Sequence, residues 1–104
     1  MGQARYFAVW EFQVKAECAA EFESIYGPEG SWARLFRRSP EYLGTELLRD
    51  LERPGRYLTI DRWTSAGAFY QFKEAAAGEY AALDKQCERL TQAETKIGEF
   101  TAVT

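Results

Sequence analysis

The sequence predicts an α+β sandwich of four strands and two interrupted helices, and three observations carry that prediction. Period-two alternation of large apolar residues marks strands near the N-terminus, through the middle and at the C-terminus. Between them, two segments repeat apolar residues at helical spacing, each broken once. A Pro54-Gly55 pair separates two strand-like runs, as in an antiparallel hairpin.

Taken in order, residues 5–14 (RYFAVWEFQV) are aromatic and β-branched, with Glu11 and Gln13 alternating against Trp10, Phe12 and Val14, and form the first strand. From Glu17 to Tyr26, Cys18, Phe22, Ile25 and Tyr26 fall at i, i+4, i+7 and i+8, the stripe of a helix packed by one face. Gly27-Pro28-Glu29-Gly30 stops it, and Ser31 is expected to cap a short second helix, Trp32 to Arg38, which ends at Ser39-Pro40. A strand follows between Glu41 and Arg53, with a bulge expected at Gly44, and Pro54-Gly55 suits the centre of a type II turn. The return strand runs from Arg56 to Trp63. Thr64 or Ser65 caps a helix carrying Ala66, Phe69 and Tyr70 that loosens around Ala75-Ala76-Ala77-Gly78 and resumes through Tyr80, Leu83, Cys87 and Leu90. Glu94 to Val103 alternates again as a last strand.

This order is that of a ferredoxin-like βαββαβ sandwich with a four-stranded antiparallel sheet and helices on one face. The first and third strands are expected at its centre and, as parts of two βαβ-type halves, parallel to each other. Alternation directs Tyr57, Thr59, Asp61 and Trp63 toward the helices, with Leu58, Ile60 and Arg62 on the open face. Both faces carry large apolar groups, so a twofold homodimer burying sheet against sheet is expected, with Glu11 and Arg62 paired inside the interface.

At 104 residues, 46% of them hydrophobic, the chain is expected to be one domain, residues 1–104, able to bury roughly two thirds of its unfolded surface. A formal charge of −3, with 13 scattered basic residues, argues against nucleic acid as a partner. The N-terminal MGQARYFAVW has no leader-like apolar core, Tyr6 stands where N-myristoylation wants Ser or Thr, and no apolar run reaches membrane-spanning length. A cytoplasmic protein without membrane contact is the expectation. Cys18 and Cys87 follow neither metal-ligand nor redox spacing and read as two reduced, half-buried thiols.

The strand-to-helix corner Asp61-Arg62-Trp63-Thr64-Ser65, the aromatic first strand YFAVWEF and the hairpin YLGTELLRDLERPGRYLTIDRW resemble the antibiotic biosynthesis monooxygenase family of dimeric α+β barrels, over roughly residues 5–103. The corner looks like that family's acidic-x-Trp-x-Ser signature. The resemblance implies a homodimer with a cavity in each subunit between sheet and helices. In the family's enzymes it implies oxygenation of aromatic polyketide or quinol-like small molecules without metal or flavin. It also sets two departures. Haem-degrading relatives bind iron through a histidine on the helix after the tryptophan, where this chain has Phe69-Tyr70-Gln71-Phe72-Lys73 and no histidine anywhere, which excludes axial histidine ligation. Relatives that use an asparagine on the first strand have it at or near the place of Trp10, and this chain has no asparagine.

Oxygenation without a cofactor needs a dry pocket, a proton acceptor and a donor for the developing oxyanion. Asp61 and Trp63 are the candidate catalytic residues, Asp61 as general base or else in a structural salt bridge or strand-end hydrogen bond, Trp63 as pocket wall or else core. Trp10, Trp32, Tyr57, Thr59 and Phe69 are the candidate substrate-binding residues, and no metal or cofactor site is expected. Arg34, Arg37 and Arg38 either guard a pocket mouth or form a solvated helix face. A dimer of the same fold that binds a small ligand without chemistry is the alternative function; an isomerase or lyase would need an acid–base pair that the spacing does not supply.

Overall fold

The computed structural model describes residues 4–103; Met1–Gln3, on which the readings of leader and N-myristoylation bear in part, and Thr104 lie outside the described residues. The elements run β1 (Tyr6–Val14), a 3-10 turn (Ala16–Cys18), α1 (Ala19–Tyr26), α2 (Ser31–Phe36), β2 (Tyr42–Arg49) and β3 (Arg56–Trp63). They continue as α3 (Ala66–Ala75), α4 (Ala77–Cys87), a 3-10 turn (Glu88–Leu90) and β4 (Thr91–Thr101). The strands lie in the order β2-β3-β1-β4, so the first and third are central as expected.

Every pairing is antiparallel, including β1 with β3, where a parallel pair is expected from sequence. The physical reason is the hairpin. A crossover carries the chain from β1 to β2 in the same direction, but the tight turn reverses β3 before it slots between them. This reversal also corrects the expected Glu11–Arg62 pair. In the observed register Glu11 faces Leu58 and Arg62 faces Phe7, so Glu11 instead accepts from Arg56, which also donates to Asp50 at 2.9 Å.

The hairpin forms around Pro54 and Gly55, with Arg56 N–H donating to the Arg53 carbonyl at 3.1 Å and Gly55 at φ +86°. Its arms are shorter than the sequence suggests. Asp50 Oδ1 accepts the backbone N–H groups of Glu52 (2.8 Å) and Arg53 (3.1 Å), drawing residues 50–55 into a capped loop. The expected bulge is present at Gly44, which sits at φ +144° where the β2–β3 register slips.

Ser65 caps α3 by accepting from Ala68 N–H at 3.1 Å, and the second helical segment breaks at Ala76. At α2 the cap is Gly30 rather than Ser31, and a side chain at residue 30 would collide with the Ile25 and Ser24 carbonyls. Both cysteines are free; Cys87 is fully buried rather than half-buried, while Cys18 is partly exposed. No helix among the described residues is long and apolar enough to cross a membrane.

The core lies between sheet and helices as two aromatic clusters. At one end Phe12, Phe22, Tyr26 and Tyr57 pack with ring centroids 4.2–5.3 Å apart. At the other, Trp63 is wholly enclosed by Phe36, Tyr42, Phe69 and Phe72 at 5.3–5.5 Å. On the open sheet face Phe7, Val9, Leu58 and Ile60 are only partly covered, and Leu48 and Phe100 are 42% and 50% exposed.

Gly44 tests the hairpin. An added Cβ would force an unfavourable backbone and meet Arg62 Nη2 at 2.7 Å. Gly44→Ala is expected to cost about 1–3 kcal/mol, measured by urea unfolding; an unchanged midpoint would show the bulge to be dispensable.

Candidate functional site

Between the two aromatic clusters the inner face of the sheet carries short side chains. Thr59 on β3 stands beside Trp10 of β1 and Leu47 of β2; one step along, Asp61 stands between Ala8 and Thr45. Threonine, alanine and aspartate cannot reach the helices as the flanking rings do, and a pocket of about 160 Å³ remains. Its floor is Trp10, Phe12, Thr45, Thr59, Asp61 and Glu94 of the sheet. Its roof is Tyr26 of α1, Trp32 and Phe36 of α2, Lys73 of α3, and Tyr80 and Asp84 of α4. The break at Ala76 lets side chains from both α3 and α4 line one space.

Asp61 is the chemically distinctive group. Thr45 Oγ1 donates to its Oδ1 at 2.6 Å, and since that hydroxyl has a single proton, Tyr42 Oη donates in turn to Thr45 at 2.5 Å. The other carboxylate oxygen has no hydrogen-bond partner among the described residues. Removal from water disfavours the charged form and pushes its pKa up to about 6, against which the Thr45 hydrogen bond pulls down. No cation among the described residues pairs with it, so of the salt bridge or strand-end hydrogen bond expected from sequence the structure shows the hydrogen bond.

The other titratable groups respond to the same apolar, acidic space. Burial raises the Tyr80 phenol to about 12, with the charges of Asp61, Asp84 and Glu94 adding to the rise. Burial likewise raises Glu94, reinforced by Asp84 and Glu88, and raises Tyr26. One hydroxyl in the lining, that of Thr59, which is 4% exposed, lacks a partner among the described residues, whereas the Tyr26 hydroxyl lies against Cys87. No group of three or more Asp, Glu or Cys among the described residues is placed to hold a metal ion.

Of the seven residues picked from sequence, the structure brings Trp10, Trp32, Thr59 and Asp61 together in this pocket. Trp63 does not line it. Its indole is fully enclosed, its N–H is buried without a partner among the described residues, and it packs edge-on against Phe36, which lines the pocket. Phe69 stacks on Tyr6 at 5.6 Å in that same cluster. Tyr57 turns to the opposite end, where its hydroxyl donates to Glu23 at 2.5 Å and ties α1 to the sheet. All three share a face with the pocket residues, and alternation alone cannot say which of them a helix covers. The arginines in and just after α2 serve structure: Arg34 and Arg37 donate to residues 28–31, and Arg38 pairs with Glu79 of α4 at 2.5 Å.

Lining residues that sequence reasoning missed are the rings of Phe12, Tyr26 and Phe36 together with Thr45, Lys73, Tyr80, Asp84 and Glu94. Tyr80 and Asp84 had a signal, being i and i+4 on a helix whose apolar stripe contains Tyr80. Thr45 had none, because the bulge at Gly44 decides which β2 residue meets Asp61.

The raised Asp61 makes stability pH-dependent in a known direction. Its native value, about 6, lies above the ordinary 3.8, so between those values the native chain binds more protons than the unfolded one and stability falls as pH rises. The loss is complete above about pH 6 and amounts to on the order of 1–3 kcal/mol. Asp61→Asn should therefore raise the melting temperature at pH 8 and leave it almost unchanged at pH 4; equal shifts at both would contradict a desolvated carboxylate.

Comparison with solved structures places this architecture. SnoaB of Streptomyces nogalater, a cofactor-independent oxygenase, superposes with a TM-score of 0.75 at 26% identity, over 97% of this chain and 95% of that one. A variant of SnoaB with one asparagine changed to alanine gives a TM-score of 0.74 at 27% identity, over 96% and 94%. A conserved protein of Methanosarcina mazei Go1, at 17% identity and TM-score 0.70 over 94% and 92%, shares the fold. No match to a curated protein sequence was found. The family model for antibiotic biosynthesis monooxygenase matches residues 5–82, three quarters of the chain. With that match, and a four-stranded sandwich holding a pocket between sheet and helices, the chain belongs to the antibiotic biosynthesis monooxygenase family.

Proposed function

We propose that this protein is a monooxygenase of the cofactor-independent type, acting on a hydrophobic, electron-rich aromatic of the quinol or anthrone class held between sheet and helices. The observation that carries the reading is Asp61, a carboxylate poised near neutrality on the floor of an aromatic pocket, with one oxygen fixed by Thr45 and the other open. The likeness to SnoaB, itself a cofactor-independent oxygenase, supports it.

For an anthrone the overall change is a CH2 group plus O2 giving a C=O group plus water. Asp61 takes a proton from the acidic carbon, and the resulting anion passes one electron to O2. The two radicals join as a C–O bond, and the peroxide formed takes the proton back from Asp61. Loss of the second hydrogen as a proton, with cleavage of the O–O bond, leaves the carbonyl and water. Thr59 offers a free hydroxyl to the substrate oxygen, whose negative charge grows as the first proton leaves. The aromatic walls supply flat apolar contact and exclude water. Trp63 acts from behind, by fixing Phe36.

We further propose that two copies join through the open sheet face, where Phe7, Val9, Leu58, Ile60, Leu48 and Phe100 present apolar surface. In light scattering the mass should be that of a dimer, and Ile60→Glu should shift it to monomer; a monomeric wild-type mass at micromolar concentration would refute this.

A second reading, a dimer that binds an aromatic ligand without turnover, is favoured by the chain having neither histidine nor asparagine. Oxygen uptake with a panel of anthrones and hydroquinones decides. The oxygenase should consume O2 well above buffer, with kcat/KM rising through a midpoint near pH 6, and Asp61→Asn should lose about 10²-fold or more. Binding with no uptake would select the second reading.

A further inference from the structure

We propose that the aromatic substrate of this pocket carries a protonated amine, held at the mouth while its ring system occupies the interior. The inference rests on reading the pocket as the substrate site, and it concerns the charge of what enters.

Three carboxylates line the space, Asp61 on the floor and the more exposed Asp84 and Glu94, against a single ammonium, Lys73. The formal excess is two negative charges. Neither Asp84 nor Glu94 has an ion-pair partner among the described residues, although Glu88, one turn on from Asp84, adds further repulsion at Glu94. Three carboxylates gathered on an apolar wall with one cation among them repel one another through a medium that screens less than water. They also repel an anionic ligand. A bound cation relieves that repulsion; a neutral one leaves it in place.

The walls point the same way. Trp10, Trp32, Tyr26 and Tyr80 present ring faces and edges around the space, and such rings attract cations when water is excluded. The chain already uses this surface for its own ammonium: Lys73 Nζ lies 4.9 Å from the centre of the Tyr80 ring. That the space takes a ligand at all is indicated independently by the hydroxyl of Thr59. It belongs to a residue more than nine-tenths buried, it lines the pocket, and it has no partner among the described residues.

An ammonium would also serve the chemistry. Removing a proton from the substrate creates negative charge in a space that is already negative, which raises the barrier. A positive charge on the same molecule offsets it, so the deprotonated substrate is a zwitterion beside the carboxylates rather than a bare anion among them.

Three probes of matched shape test this: 1-naphthylmethylammonium, 1-naphthalenemethanol and 1-naphthoate, titrated at pH 7.5 and low salt by tryptophan fluorescence and calorimetry. The ammonium should bind about tenfold or more tighter than the alcohol, and the carboxylate weakest. In the Asp84→Asn/Glu94→Gln double variant the ammonium-to-alcohol ratio should fall several-fold while the alcohol's own affinity holds. In Lys73→Gln the ratio should rise. Alcohol or carboxylate binding as tightly as the ammonium, a ratio indifferent to these variants, or no binding by any of the three would overturn the proposal. Its failure is separable from that of the oxygenase reading. Ammonium preference without O2 uptake by amine-bearing hydroquinones would sink the reaction and keep the charge; uptake with neutral anthrones and no ammonium preference would do the reverse.

Discussion

The pocket depends on two aromatic clusters that hold the helices off the sheet while the side chains between them fall short. Trp63 with its four ring neighbours props one end of the sandwich, and Tyr57 with Phe22, Tyr26 and Phe12 props the other. Between the props, Thr59, Asp61, Thr45 and Ala8 leave volume unfilled. Protein interiors otherwise close such gaps, because every missing contact forfeits dispersion energy. Here the closed ends stabilise the open middle.

The same construction sets the chemistry. Asp61 lies in a pocket walled largely by rings, and among the described residues the hydrogen bond to its carboxylate comes from a threonine whose proton position is fixed by Tyr42. A carboxylate in that setting holds its proton more tightly, which costs stability at neutral pH and makes it a better acceptor. The tension is physical rather than incidental: a salt bridge to Asp61 would recover the stability and weaken the base.

Much of this was legible in the residues. The hairpin followed from Pro54-Gly55, the bulge from Gly44, the cap from Ser65 and the helix break from the alanine run, because each reports a local backbone preference. Strand alternation put Thr59 and Asp61 on the helix side. It could not separate them from Tyr57 and Trp63, since four residues on one face of one strand look alike until the covering helices are in place. The pairing of Glu11 was misread for a related reason: partners across a sheet depend on strand direction, which no single strand encodes.

The sequence by itself determined the element order, the two-faced central strand, the hairpin and the kinship to a family, because these are written in spacing and in turn residues. Only the tertiary structure decided that Trp63 is a prop and not a wall, that Thr45 and Tyr42 hold Asp61, and that Lys73, Asp84 and Glu94 share its pocket. Those relations join residues up to tens of positions apart through register and helix placement. The corner from Asp61 to Ser65 that marks the family therefore splits in the fold, its acid facing the cavity and its tryptophan building the end against which the cavity is held open.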